Sequence, residues 1–155
     1  MSAPRPLLST LPATDEDLFA LRRSPLFGRL PEPSFRSLFD GQPVAAAAKD
    51  ARVMEWGGPA TTCYIVLRGL VKLVRTGGPQ ETAVLAIHGP GRALMLAEGL
   101  TGKPCSASVE AVTAARLMSL DVERLRLRMQ ADPDLSRALL IAAAADLRQL
   151  VAHIE

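Results

Sequence analysis

The sequence predicts a mainly β domain, a sandwich or barrel of short strands with helices at its ends and one long helix closing the chain. Three observations carry that reading. Between Ala51 and Arg75, apolar runs around Val53-Met54, Cys63–Leu67 and Leu70–Val74 are separated only by Gly57-Gly58-Pro59 and Arg68-Gly69, leaving no room for a helix. Gly69 is a lone glycine inside strand-like sequence, the mark of a bulge or sharp bend, which two sheets covering each other's apolar faces need. Toward the end, Leu140, Ala143, Leu147, Leu150 and Ile154 recur at alternating spacings of three and four, the seam of a coiled coil.

In chain order, residues 1–14 hold Pro4, Pro6 and Pro12 and read as an extended or mobile arm. Thr14-Asp15-Glu16-Asp17 caps a short helix running to Arg22 or Arg23, and Ser24-Pro25 ends it. Pro33–Phe39 forms a second short helix with Phe35, Leu38 and Phe39 on one side, so these two helices cover one end of the β-structure. Pro43-Val44 tips the alanine run 45–48 toward strand. Thr76-Gly77-Gly78-Pro79 signals a hairpin that returns as Glu81–His88. After Gly89-Pro90-Gly91, the segment Arg92–Leu100 has helical composition for about two turns, and a helix wedged between strands suggests a lid or ligand cradle. Ser106–Val112 alternates, with Ala107, Val109 and Ala111 on one face. Arg116–Leu120 is one more strand. Asp121 caps a helix over Val122–Gln130, and Asp132-Pro133 restarts the chain as the final helix. The division expected is an arm (1–14), a sensor-sized β domain (15–134) and a terminal helix (135–155). The apolar face of that helix fits either a dimer contact through Leu140, Ala143, Leu147, Leu150 and Ile154 or a core helix of a monomer.

A net charge of +2 is too small to argue by itself for nucleic acid or a membrane surface. With 48% hydrophobic and only 4% aromatic residues, the core must be aliphatic. Two cysteines, Cys63 and Cys105, are too few for a disulfide framework or for a four-cysteine cluster within the chain, and free thiols in a reducing cytoplasm are expected. No apolar stretch reaches the length of a membrane span and no signal-like N-terminus is present, so no membrane partner is expected.

Ser24-Pro25-Leu26-Phe27, then Gly58-Pro59-Ala60 with Tyr64–Leu73, then Pro104-Cys105-Ser106-Ala107-Ser108-Val109-Glu110-Ala111 stand in the order found in the effector domain of the CRP/FNR transcription regulators, which this sequence resembles from about Leu18 to its end. The resemblance implies a double-stranded β-helix, or jelly roll, of the cyclic-nucleotide-binding type, a homodimer through the terminal helix, a small-molecule effector and allosteric signalling. It also implies DNA reading by a C-terminal helix-turn-helix. No such helix pair stands between residue 135 and Glu155. The sequence therefore reads as the sensor half of a longer regulator or as a stand-alone module that pairs with one.

Family members that bind cyclic nucleotides use a Gly-Glu pair for the ribose hydroxyl and an Arg, after Pro and before Ser/Thr-Ala, for the phosphate. A buried hydroxyl needs an acceptor and a buried phosphate a charged fork. Laid on that pattern without gaps, Met95-Leu96 replaces Gly-Glu and Cys105 replaces Arg. Sliding the loop to Gly91 puts Arg92 at the Glu position and leaves Cys105 in place. Either way the clasp is missing, at a cost on the order of several kcal/mol, enough to abolish micromolar binding. Cyclic AMP is not expected to bind tightly. Leu94, Met95, Leu96, Cys105, Ser106 and Ala107 would instead line an apolar cleft, where Ser106 and nearby amides could hold a weaker anion.

An apolar site resembles the branch of the family that senses gases through haem, and His88, Met95, Cys63, Cys105 and His153 are candidate ligands, His88 first among them. Each also has a duller reading: His88 and His153 as exposed residues, Met95 as gap-filler, the cysteines as small hydrophobes. Cupin-type metal catalysis needs two or three histidines plus a carboxylate inside the barrel, and the chain has two histidines in all. No Ser-His-Asp or Cys-His arrangement is visible, and no enzymatic activity is expected.

Overall fold

A computed structural model of the chain describes residues 7–78 and 81–154, of which 146–154 are described as helical backbone only. Its order is β1 (Leu8–Leu11), α1 (Asp15–Arg22), α2 (Glu32–Phe39), β2 (Val44–Ala47), β3 (Arg52–Met54), β4 (Thr62–Arg68), β5 (Val71–Gly78), β6 (Glu81–His88), β7 (Ala93–Leu94), α3 (Leu96–Thr101), β8 (Ser108–Ala111), β9 (Ala115–Asp121), α4 (Val122–Ala131) and α5 (Pro133–Ile154). The strands form two antiparallel sheets, β1-β2-β9-β4-β7 and β3-β8-β5-β6, facing each other as a jelly roll. Among the described residues no helix is long and apolar enough to cross a membrane.

The continuous apolar run of β4 follows from its position. Cys63, Ile65 and Leu67 point into a core beneath the helices, whereas Val66 and the partly buried Tyr64 point into the space between the sheets. A strand covered on both faces has no reason to alternate. The strand β9 does the same, with Met118 and Leu120 on the helical side and Ala115 and Leu117 on the other. Three phenylalanines lie under the helices, Phe27 packing edge-on against Phe39 with ring centres 4.9 Å apart. The space between the sheets is instead lined by alanines 45, 47, 51, 107, 111 and 115. Small side chains let the two sheets close over the segment that follows α3.

The helices begin where their caps predict. The Thr14 hydroxyl accepts from the Asp17 N–H and the Asp17 carboxylate from the Thr14 N–H, a reciprocal capping box. The Asp121 carboxylate accepts from the Arg124 N–H at the start of α4. At the other end of α2, the Arg124 guanidinium donates to the carbonyls of Ser37, Leu38 and Asp40, tying α2 to α4. Gly69 has φ +81, and a Cβ there would lie 2.3 Å from the Ala114 carbonyl oxygen, so the bend between β4 and β5 admits no side chain.

Two expectations are corrected. Within the 1–14 arm, Leu8–Leu11 is an edge strand, paired in register with Val44–Ala47. Its side chains are exposed, so main-chain hydrogen bonding and not burial places it. The helix expected over Arg92–Leu100 begins only at Leu96, because Ala93 and Leu94 pair with Ile65 and Tyr64 of β4 and Met95 turns left-handed. The apolar face of the last helix is shared between the two uses that the sequence left open to it. Leu135 and Leu139 are buried in the domain's own core, while Leu140 is 70% exposed and Ala143 is exposed. Leu147, Leu150 and Ile154 lie outside the residues whose side chains are described.

Candidate functional site

The segment joining β7 to β8 forms the site, and its first peculiarity is Met95. A left-handed residue bearing a side chain costs roughly 1–2 kcal/mol relative to its normal conformation, and Met95 holds φ 62 while capping α3. Its side chain is buried between the sheets, which holds the backbone in that state. The short helix α3 then runs back over the segment 104–108. Its C-terminal carbonyls, Gly99 and Leu100, accept from the Arg126 guanidinium of α4 at 3.2 and 3.5 Å. Gly99 sits so close to α4 that a Cβ would lie 2.7 Å from Val122 Cγ2.

The glycine turn before β4 clasps the other side of the segment. Gly57 N–H donates to the Cys105 carbonyl at 2.9 Å, and Cys105 N–H donates to the Gly58 carbonyl at 2.8 Å. Trp56 N–H donates to Ser108 Oγ at 2.9 Å. Burial, and after it the nearby Glu98 carboxylate, raises the pKa of the Cys105 thiol.

Leu94, Met95, Cys105 and Ala107 are brought together between the sheets, each at most 4% exposed. Leu96 turns the other way and packs against the helical core, and Ser106 is exposed. The apolar side chains expected to line a cleft therefore fill the space themselves. Two open concavities lie elsewhere: one is lined by residues such as Gln42, Asp121, Arg124 and Leu127, the other runs along β1 and β2 beside Arg68 and Arg116.

Three residues of the site were not singled out from the sequence. The Ser106 hydroxyl donates to Glu98 Oε2 at 2.6 Å. Arg75 Nε, from β5, donates to the Ser106 carbonyl at 2.7 Å, and its guanidinium lies 5.0 Å from the centre of the Trp56 ring. Glu98 lies in the first turn of α3, which begins only after the left-handed Met95, so helical spacing did not tie it to the site. Arg75 and Trp56 reach the site only through sheet pairing, which no local pattern announces.

Of the candidate haem ligands, Met95 and Cys105 share the core between the sheets, and His88 and Cys63 lie elsewhere. His88 is half-buried at the end of β6, opposite Val71, and burial followed by the charge of Arg92 lowers its pKa and favours the neutral imidazole. Cys63 lies in the helical core and Cys105 in the core between the sheets. The side chain of His153 is outside those described. Among the described residues no group of three or more His, Cys, Asp or Glu is placed to hold a metal ion.

The model of the cyclic nucleotide-binding domain family matches residues 44–132, more than half of the chain, from β2 to the cap of α5. No curated protein matches the chain. Among solved structures, the N-terminal domain of a transcriptional regulator from Streptomyces coelicolor A3(2) is 28% identical over 88% of this chain and 95% of its own, with a TM-score of 0.71. The sensor domain of the transcriptional regulator DNR from Pseudomonas aeruginosa is 23% identical, over 88% of this chain and 92% of its own, with a TM-score of 0.72. The catabolite activator protein of Thermus thermophilus is 24% identical over 84% of this chain, with a TM-score of 0.70, and this chain spans 62% of it. The last two likenesses speak for the fold alone. The chain belongs to the cyclic nucleotide-binding domain family.

Proposed function

We propose that this sensor domain answers to an effector other than cyclic AMP and passes the signal through α3, α4 and α5 to a second copy of the chain. The observation that carries the first half is Cys105. Laid without gaps on the pattern of the family's cyclic nucleotide binders, Cys105 takes the place of their phosphate-binding Arg, and it is 2% exposed, packed between the sheets with Met95 and Ala107. The ungapped placement is favoured because α3 is the element facing Ser106, and Met95, at its start, holds the left-handed backbone that a glycine adopts without strain. Arg75 does not replace the missing fork, since its Nε is engaged by a main-chain carbonyl and its face by Trp56.

On this reading the effector-facing residues are Leu94, Met95, Cys105, Ser106 and Ala107, joined by Leu96 only once it leaves the helical core, and α3 must move for an effector to enter. The link onward is direct. Arg126 joins α3 to α4, and Ser136 Oγ of α5 donates to the Met129 carbonyl of α4 at 2.7 Å. Pairing through α5 is supported by Leu140 and Ile141, which stand 70% and 51% exposed on a helix that has already buried Leu135 and Leu139. Val84, Leu85 and Ile87 of the edge strand β6 are exposed as well.

The clasp is tested by rebuilding it. Met95→Gly, Leu96→Glu and Cys105→Arg together should create cyclic AMP binding where the unaltered chain has none, and a folded triple variant that still binds nothing would contradict this account of the pocket. Pairing is tested by native mass spectrometry, with a dimer expected for the unaltered chain and monomer for Leu140→Glu with Ala143→Glu. A monomeric unaltered chain at about 10 μM, the concentration scale of a micromolar association, would end the dimer reading.

A further inference from the structure

We infer that Glu98 is the resident anion of this site, a carboxylate of the chain itself standing where a ligand's acidic group would be received, so that it both latches α3 closed and excludes anionic ligands. The inference rests on the reading above that 94–96 and 105–107 are the effector-facing residues. It goes beyond that reading by naming a residue that selects among ligands.

The polar groups of the segment are consumed from within. Both main-chain groups of Cys105 are bonded to the glycine turn, and the Ser106 carbonyl is bonded to Arg75. Between Cys105 and Ala107 the one side-chain hydroxyl is that of Ser106, and it donates to the Glu98 carboxylate at 2.6 Å. A hydroxyl donating to an ionised oxygen makes a short, strong bond, and this distance is of that kind. The same carboxylate is close enough to Cys105 to raise its thiol pKa, so its charge falls on the position where a ligand's phosphate would need a cation. A second anion entering beside the Ser106 hydroxyl would meet the Glu98 carboxylate that already holds it. Like charges brought that close repel.

The latch also has a mechanical side. α3 has only six residues, too few to be stable alone, and it begins at a strained Met95. Besides the packing of Leu96 and Leu100 on the helical core, side-chain hydrogen bonds hold it from Arg126 at its C-terminal end and from Ser106 at its middle. Release of Glu98 from Ser106 removes one of them. An uncharged or cationic effector that engages Glu98 would open α3, whereas an anionic one would be turned away.

Hydrogen exchange of the full chain, read by mass spectrometry over 96–108, tests the latch. Glu98→Ala and Ser106→Ala should each speed exchange of this segment about tenfold, and the double variant should do no more than either, as expected for two halves of one contact. Unchanged exchange in Glu98→Ala, or additive effects in the double variant, would overturn the latch. Calorimetry with cyclic AMP tests the exclusion. In the Met95→Gly, Leu96→Glu, Cys105→Arg background, Glu98→Gln should tighten binding about tenfold by removing the repelling charge, and equal affinity with and without Glu98, or no binding in either, would overturn it. Tight binding of cyclic AMP by the unaltered chain would sink the functional reading on which this one stands, an outcome separate from all of these.

Discussion

Arg116 of β9 grips Asp17 of α1 with two parallel hydrogen bonds, Nε to Oδ1 at 2.9 Å and Nη2 to Oδ2 at 2.7 Å. The carboxylate is 4% exposed and also closes the capping box with Thr14, so one side chain starts the first helix and fastens it to the sheet. The Arg116 hydrogen bond, against the opposing effect of burial, holds its pKa at about 2 instead of 3.8. Because the folded-state value lies below the unfolded one, the contribution is complete above about pH 4 and is lost as pH falls through about 2. It amounts to about 2 kcal/mol. Asp17→Asn should lower stability by about that much at neutral pH and remove the matching part of the acid-side slope, measured by urea unfolding between about pH 2 and 7.

Gly69 offers a second prediction. At φ +81, with a carbonyl oxygen 2.3 Å from the missing Cβ, Gly69→Ala should destabilise by about 3 kcal/mol and lower Tm by roughly 10 °C. Gly78 is the control. Nothing lies within 4 Å of a Cβ there, so Gly78→Ala should stay within about 0.5 kcal/mol. Thermal melts of the two variants decide it, and similar Tm values would contradict the close approach at Gly69.

The cysteines supply a third. Burial pushes the Cys63 thiol up to about 12, and burial with the Glu98 charge raises Cys105. Neither should be thiolate at neutral pH, so a disulfide reagent should find almost no fast-reacting thiol in the folded chain and both after unfolding. Rapid labelling of Cys105 in the folded protein would mean that α3 opens far more readily than its contacts imply.

Much of this molecule was legible in the sequence, and the boundary of what was legible is physical. Strands β4, β5, β6, β8 and β9 were readable because their ends are marked by Gly, Pro or charge, and Gly69 was readable because no other residue fits its bend. The strand β1 was not, since its partner β2 lies beyond two helices and its own side chains are exposed, leaving no burial pattern to find. The break at Met95 was hidden because the chain places a methionine where the backbone calls for glycine. Within the site, the family pattern brought Met95 and Cys105 together on paper. It was silent on Glu98, Arg75 and Trp56, whose contacts depend on the angle of a two-turn helix and on the pairing of β5 with β8.

Isothermal titration of the purified chain with cyclic AMP addresses the central claim most directly. A pocket packed with Met95 and Cys105, and facing the Glu98 carboxylate, should give no specific heat up to about millimolar ligand, while a dissociation constant in the micromolar range or below would contradict the account.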